Sequence, residues 1–253
     1  MLKAFIFDLD GTLVDTEPLK NLAYVRVVRE LSPDGPPAEE VIAVATELIG
    51  VPSPETAMEL VRRLGLDEPA RARMAKLGAT APWQVLMQLH IAAYLHLLDD
   101  PGVLQRAQLP STAGLLHEAR QRGFKTGLAT MSYREEVQRI LDVLSWTDLF
   151  DVVATADDVQ CGKPDPEIYL HVARTLAVQP DECLVIEDSP SGVAGALAAG
   201  MACIAVPGEL TRAAVHRTRL DERWIVDDAS RLRAVVTERL HDPCGMPITR
   251  AHN

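Results

Sequence analysis

The stretch Lys3-Ala4-Phe5-Ile6-Phe7-Asp8-Leu9-Asp10-Gly11-Thr12-Leu13-Val14-Asp15 decides the fold. It reads as a short apolar β-strand that runs into two acids one position apart and then a Gly-Thr turn. Such a sequence sets two carboxylates at the open end of a sheet. The one-residue gap lets them take different tasks. Asp8, held ionised beside a divalent cation, can attack phosphorus, and Asp10, further from the cation, can give a proton to the leaving oxygen. Gly11 permits the sharp exit from the strand. Asp-x-Asp alone also describes an ordinary acidic turn, so the rest of the chain has to weigh between the two.

Three further segments do so. Phe124-Lys125-Thr126-Gly127-Leu128-Ala129-Thr130 is a strand pattern ending in a hydroxyl. Cys161-Gly162-Lys163-Pro164-Asp165-Pro166 is a turn bearing a lysine ahead of a helix. Cys183-Leu184-Val185-Ile186-Glu187-Asp188-Ser189 is an apolar strand ending in paired acids, with Pro190-Ser191-Gly192 opening a small-residue helix. Each falls at or just beyond the C-terminal end of a predicted strand, where open α/β sheets bind ligands. In this order the four segments resemble the motifs of the haloacid dehalogenase-like (HAD) phosphohydrolase superfamily.

The resemblance implies that Asp8 and Asp10 are catalytic. It also implies that Thr130 hydrogen-bonds the transferring phosphoryl group, and that Lys163 neutralises charge shared by nucleophile and phosphate. Charge balance adds a cation. Asp8, Asp10, Glu187 and Asp188 crowd one crevice that a phosphate dianion must enter, and without a cation their repulsion would exclude it. An all-oxygen, carboxylate-rich site suits Mg²⁺. The ligands expected are the Asp8 and Asp188 side chains, with the Asp10 backbone carbonyl implied by the resemblance. Glu187 is read as orienting a metal-bound water or as a direct ligand.

Strand rhythm stops after Asp15. Residues 16–31, 38–49, 54–64, 68–77 and 82–98 read as helices, so residues 16–104 form an α-helical cap domain inserted into an α/β core of residues 1–15 and 105–240. Residues 82–98 are apolar enough to raise a membrane question, but Gln84, Gln88, His90 and His96 interrupt them and the run is short for a span. From residue 111 the alternation of strand and helix resumes, with strands at 124–130, 150–155, 183–187 and 202–206, a short one near 224–226, and a last helix from residue 229. That alternation specifies a Rossmann-like parallel sheet covered on both faces. Residues 241–253 read as a flexible tail.

Composition agrees. The 253 residues carry a formal net charge of -11, which opposes broad binding to nucleic acid or anionic membranes. Four cysteines without paired spacing read as thiols in a reducing compartment. The catalytic strand begins at once, so no cleaved signal segment is expected and the localisation expected is cytoplasmic.

A helical insert between the first and second motifs resembles the small-cap branch that includes phosphoglycolate phosphatase-like enzymes and β-phosphoglucomutase. That resemblance implies a small phosphorylated metabolite as substrate, with the cap setting specificity. Gly50 and Lys20 are the candidate cap residues. Lys20 stands where many relatives carry a histidine, and Arg134 is a second candidate cation, in a stretch without the asparagine that some relatives use on phosphate. The mutase carries an arginine for its second phosphate soon after the loop glycine, whereas Pro52, Ser53 and Pro54 follow Gly50 here. The expected function is therefore a phosphatase acting through an aspartyl-phosphate. A phosphosugar mutase and a catalytically idle binding scaffold are the alternatives. Trp83 and Met87 read as packing residues in preference to pocket lining.

Overall fold

The computed structural model describes residues 1–48 and 53–241. They divide into two compact units, Met1–Asp15 with Leu104 onward, and Thr16–Val103.

In the first unit, β1 (Ala4–Phe7) opens the chain. The second unit then supplies α1 (Glu17–Leu31), α2 (Ala38–Glu47), α3 (Ser53–Arg63), α4 (Asp67–Leu77) and α5 (Pro82–Leu98), and α6 (Pro101–Ala107) crosses the boundary. The first unit continues with α7 (Pro110–Gln121), β2 (Lys125–Ala129), α8 (Arg134–Leu144), β3 (Val152–Ala154), α9 (Glu167–Thr175), β4 (Cys183–Glu187), α10 (Pro190–Ala198), β5 (Ala202–Ala205), α11 (Glu209–Val215) and α12 (Leu232–His241).

The strands form one sheet in the order β3-β2-β1-β4-β5, parallel at every pairing. Every residue of β1, β4 and β5 is buried. Parallel strands lie between two layers of helices, so they are written as continuous apolar runs. The order reverses at β1, beside which β2 and β4 lie on either side, and a crevice opens there at the carboxyl ends. The expected α/β sheet with a helical insert is what the chain forms.

The helical unit is built round α5, which packs against α1, α3 and α4, while α1 packs on α2. Its core includes Val28, Val41, Leu60, Leu66, Val85 and Leu86, with Trp83 and Met87 half-buried against it. Those two are packing residues, as expected. Pro82 occupies the first turn of α5, where its missing N–H costs nothing. His90 is half-buried on α5. Its ring stacks on Tyr24 at 3.7 Å between centroids and its Nε2–H donates to the Lys20 carbonyl at 3.1 Å. Burial lowers its pKa from 6.5 to about 4, so the ring is neutral there.

One expectation is corrected. The short strand near residues 224–226 is a 3-10 turn, Glu222–Trp224, followed by a single bridge from Ile225 to Ala205. After Val226 come Asp227 and Asp228, and the Asp228 side chain caps the next turn by accepting from Ser230 N–H, so extended chain has no room to continue. The helices α6 and α11 went unread because each spans only 7 residues, about two turns, too few to show a periodicity. No described helix is long and apolar enough to cross a membrane. Cys183 and Cys203 are buried free thiols and Cys161 is exposed. Gly50, most of the loop around it and the proposed tail beyond His241 lie outside the described residues.

Candidate active site

The site grows out of the sheet's carboxyl edge. Phe7 pairs with Ile186 across β1 and β4, and the Asp8 N–H donates to the Ile186 carbonyl at 3.0 Å, which sets Asp8 beside Glu187. After Asp8 the chain folds back tightly. The N–H groups of Leu13 and Val14 donate to the Leu9 carbonyl at 2.8 and 3.0 Å. Buried Leu9, Leu13 and Val14 anchor this turn. Gly11 adopts φ +79°, and a Cβ there would stand 2.5 Å from Asp188 Oδ2. Both the left-handed backbone and the carboxylate above it require glycine.

Lys163 is the hub. Its Nζ donates to Asp8 Oδ1 at 2.7 Å, to Glu187 Oε1 at 2.7 Å and to the Ala129 carbonyl at 3.0 Å. These use all three donors of the ammonium, and the side chain is only 5% exposed. The ammonium also stands 5.1 Å from the centre of the Tyr169 ring. Burial disfavours its charge, yet Asp8 and Glu187 outweigh burial and hold its pKa well above the ordinary lysine value.

Glu187 is consumed by this framework. Oε1 accepts from Lys163 and from the Tyr169 hydroxyl at 3.0 Å. Oε2 accepts from the N–H groups of Asp188 and Ser189 at 2.9 and 2.8 Å and from the Ser189 hydroxyl at 2.9 Å. Ser189 in turn caps α10 by accepting from Gly192 N–H at 3.0 Å. A Cβ on Gly192 would fall 1.7 Å from Glu187 Oε1, so the glycine is what lets the carboxylate lie under the helix. Burial alone would raise the Glu187 pKa, but Lys163 and Ser189 bring it below the ordinary value.

Asp8 and Asp188 behave in the opposite way. Burial first, with Glu187 and other acids adding to it, raises Asp8 to about 7 against the pull of Lys163. Burial and the charges of Glu187 and Asp8 raise Asp188 to about 9. One oxygen each of Asp8, Glu187 and Asp188 lies within 4.8 Å of the others. Of the three, Asp188 has the slightest tie, a long 3.5 Å contact from the Thr12 hydroxyl.

At the β2 edge, Asp10 Oδ2 accepts from the Thr130 hydroxyl at 3.3 Å and from the Ser132 hydroxyl at 2.7 Å. The Ser132 N–H also donates to Thr130 Oγ1 at 3.1 Å. The structure thus gathers Asp8, Asp10, Thr130, Lys163, Glu187 and Asp188. The Arg134 guanidinium pairs with Asp158 and its backbone N–H donates to Asp157 at 2.8 Å, because it begins α8 opposite that acidic turn. Lys20 lies on α1 with Nζ 3.3 Å from Glu17 Oε1. Sequence reasoning missed Ser132, passed over for want of an asparagine, and Tyr169. The signal for Ser132 was a second hydroxyl two positions beyond Thr130. Tyr169 looked like any apolar residue of an amphipathic helix.

A match to the haloacid dehalogenase-like hydrolase family covers residues 2–200. The chain belongs to the haloacid dehalogenase-like hydrolase family. Validoxylamine A 7'-phosphate phosphatase of Streptomyces hygroscopicus subsp. limoneus is 32% identical over 81% of this chain and 85% of its own length. A phosphorylated carbohydrates phosphatase of Thermotoga maritima is 34% identical over 79% of this chain and 82% of its own. Among solved structures, CbbY from Rhodobacter sphaeroides in complex with xylulose-(1,5)-bisphosphate covers 92% of this chain and 96% of that one, at 25% identity and a TM-score of 0.67.

Proposed function

We propose that this hydrolase is a Mg²⁺-dependent phosphatase that cleaves a small phosphomonoester, such as a sugar phosphate, through an aspartyl-phosphate on Asp8. The observation that carries the reading is the buried ammonium of Lys163, bonded at 2.7 Å to both Asp8 and Glu187 beside the raised carboxyl of Asp188. Three buried acids share one buried cation, so the cluster is short of positive charge. An all-oxygen donor set of that kind fits Mg²⁺, with Asp8, Asp188 and the Asp10 carbonyl as its protein ligands. When bound, the ion would offset the carboxylate charge and that of the entering phosphoryl group.

The chain's own residues then divide the work. Lys163 holds Asp8 at a fixed angle and draws its charge down, and one Asp8 oxygen bonds to phosphorus as the ester P–O bond breaks. Asp10 gives its proton to the leaving oxygen. It then takes a proton from the water that bonds to phosphorus and frees Asp8. The Thr130 hydroxyl donates to a phosphoryl oxygen. Burying acids in excess of bases is unfavourable for folding, and a scaffold without catalysis has no use for such a cluster.

The test is inorganic phosphate release from a panel of sugar phosphates, phosphoglycolate and nucleotides, with Mg²⁺ and with chelator. Turnover that needs Mg²⁺ and vanishes in Asp8→Asn is expected. Unchanged turnover in purified Asp8→Asn would overturn the mechanism. Isomerised sugar phosphate without free phosphate would assign a mutase instead.

A further inference from the structure

We propose that Ser132 is the positioning residue for the acid–base carboxyl of Asp10, an inference that rests on the phosphatase reading above. Two hydroxyls hold Asp10 Oδ2, Thr130 at 3.3 Å and Ser132 at 2.7 Å. Each has a single proton to give. Thr130 directly follows β2, at the position proposed to donate to the phosphoryl group, and a phosphoryl oxygen bearing developing negative charge is a better acceptor than a shared carboxylate oxygen. When substrate enters, the Thr130 proton turns to it, and that tie to Asp10 is given up. The shorter tie, from Ser132, persists.

Ser132 is itself well placed to persist. Its N–H donates to Thr130 Oγ1 at 3.1 Å and its carbonyl accepts from Ala156 N–H at 3.2 Å, so the backbone that carries the hydroxyl is fixed from two sides. With Oδ2 anchored on Ser132, the proton travels on Oδ1. In the first half-reaction Oδ1–H gives its proton to the leaving alkoxide as the Asp8 O–P bond forms and the ester P–O bond breaks. In the second, Oδ1 takes a proton from water as the water oxygen bonds to phosphorus and the Asp8 O–P bond breaks. Ser132 touches neither phosphorus nor the leaving group in either step.

The reaction's dependence on its leaving group separates this role from phosphate binding. An alkyl phosphate needs a proton delivered to its leaving oxygen, whereas p-nitrophenolate departs without one. Removing the hydroxyl in Ser132→Ala is expected to lower kcat/KM for an alkyl phosphate by about 10²-fold, the lower range for loss of general acid catalysis. kcat/KM for p-nitrophenyl phosphate, which reports only steps through the first bond cleavage, should stay within about threefold. kcat for that aryl ester should still fall, with a burst of nitrophenolate approaching one per enzyme, because dephosphorylation also needs the Asp10 base. Ser132→Thr, which keeps the hydroxyl, should restore most of the alkyl activity. Ser132→Cys, nearly the same size, gives the same comparison should the alanine variant not fold.

Equal falls in kcat/KM for both esters, or no fall for the alkyl ester, would overturn the inference while leaving the phosphatase reading intact. A wild-type protein inert toward both esters would overturn that reading and this inference with it.

Discussion

Lys163 and Glu187 form a buried ion pair, Nζ to Oε1 2.7 Å, with side chains only 5% and 1% exposed. The lysine arrives on a loop and the glutamate ends β4, so the pair fastens the loop to the sheet while presenting the ammonium to Asp8.

Removing the lysine leaves Glu187 and Asp8 as buried carboxylates without their cation. Breaking one side of such a pair costs about 3–5 kcal/mol. Lys163→Met is therefore expected to lower the urea midpoint by a corresponding amount and to abolish turnover. Urea unfolding followed by circular dichroism gives the answer, and an unchanged midpoint would show that the pair contributes nothing to folding.

Glu187 and Asp188 are adjacent in sequence but are expected to differ in Mg²⁺ binding. Both Glu187 oxygens are occupied by protein donors. Glu187→Gln should lower activity by about 10–100-fold through a misplaced Lys163 while weakening Mg²⁺ binding far less than Asp188→Asn does. Calorimetric titration of both variants decides it. Equal loss of the ion in both would make Glu187 a ligand.

Metal removal should expose the raised carboxyl of Asp188. Its folded-state value of about 9 lies above the unfolded value near 4, so the folded protein holds a proton that the unfolded chain releases. The associated stability is present below pH of about 4 and is lost as pH rises toward 9. With chelator present, the melting temperature should drop between pH 6 and pH 9, and Mg²⁺ should restore more of it at the higher pH. Asp188→Asn should flatten both trends. A chelated wild-type protein whose melting temperature ignores pH over that range would count against a buried, cation-starved cluster.

The helical unit should respond to pH with the opposite sign. His90 titrates at about 4 in the fold against an ordinary 6.5, so the unfolded chain binds the extra proton. Stability is full above pH of about 6.5 and declines as pH falls toward 4, by on the order of 3 kcal/mol over the whole window. His90→Phe keeps a ring against Tyr24 without the titration. Denaturant unfolding at pH 7.5 and pH 5 should show a smaller difference in the variant than in the wild type, and equal differences would remove His90 as the cause.

Much of this architecture was legible in the chain. The strands announced themselves because a parallel sheet buried on both faces must be written in unbroken apolar residues. Asp8, Thr130 and Asp188 were legible because each sits where such a run stops, and Lys163 because it stands in a Gly-Lys-Pro turn ahead of a helix. The short helices α6 and α11, and the single bridge at Ile225, were not. Their lengths are set by what they pack against, and two turns carry no periodicity of their own.

Local chemistry thus determined the sheet, the helical insert and the acids at the strand ends, since apolar spacing, glycine turns and carboxylates are properties of neighbouring residues. Only the tertiary structure decided how those groups share their hydrogen bonds. Lys163 finds Asp8 from 155 positions away and Ser132 finds Asp10 from 122. Glu187 is bound into the framework while the Asp188 carboxylate beside it meets the Thr12 hydroxyl at 3.5 Å, and Arg134 turns to Asp158. A donor has a fixed number of protons and a hydrogen bond reaches about 3 Å. Which acceptor each donor takes is therefore settled by distances that come into being when the strands align.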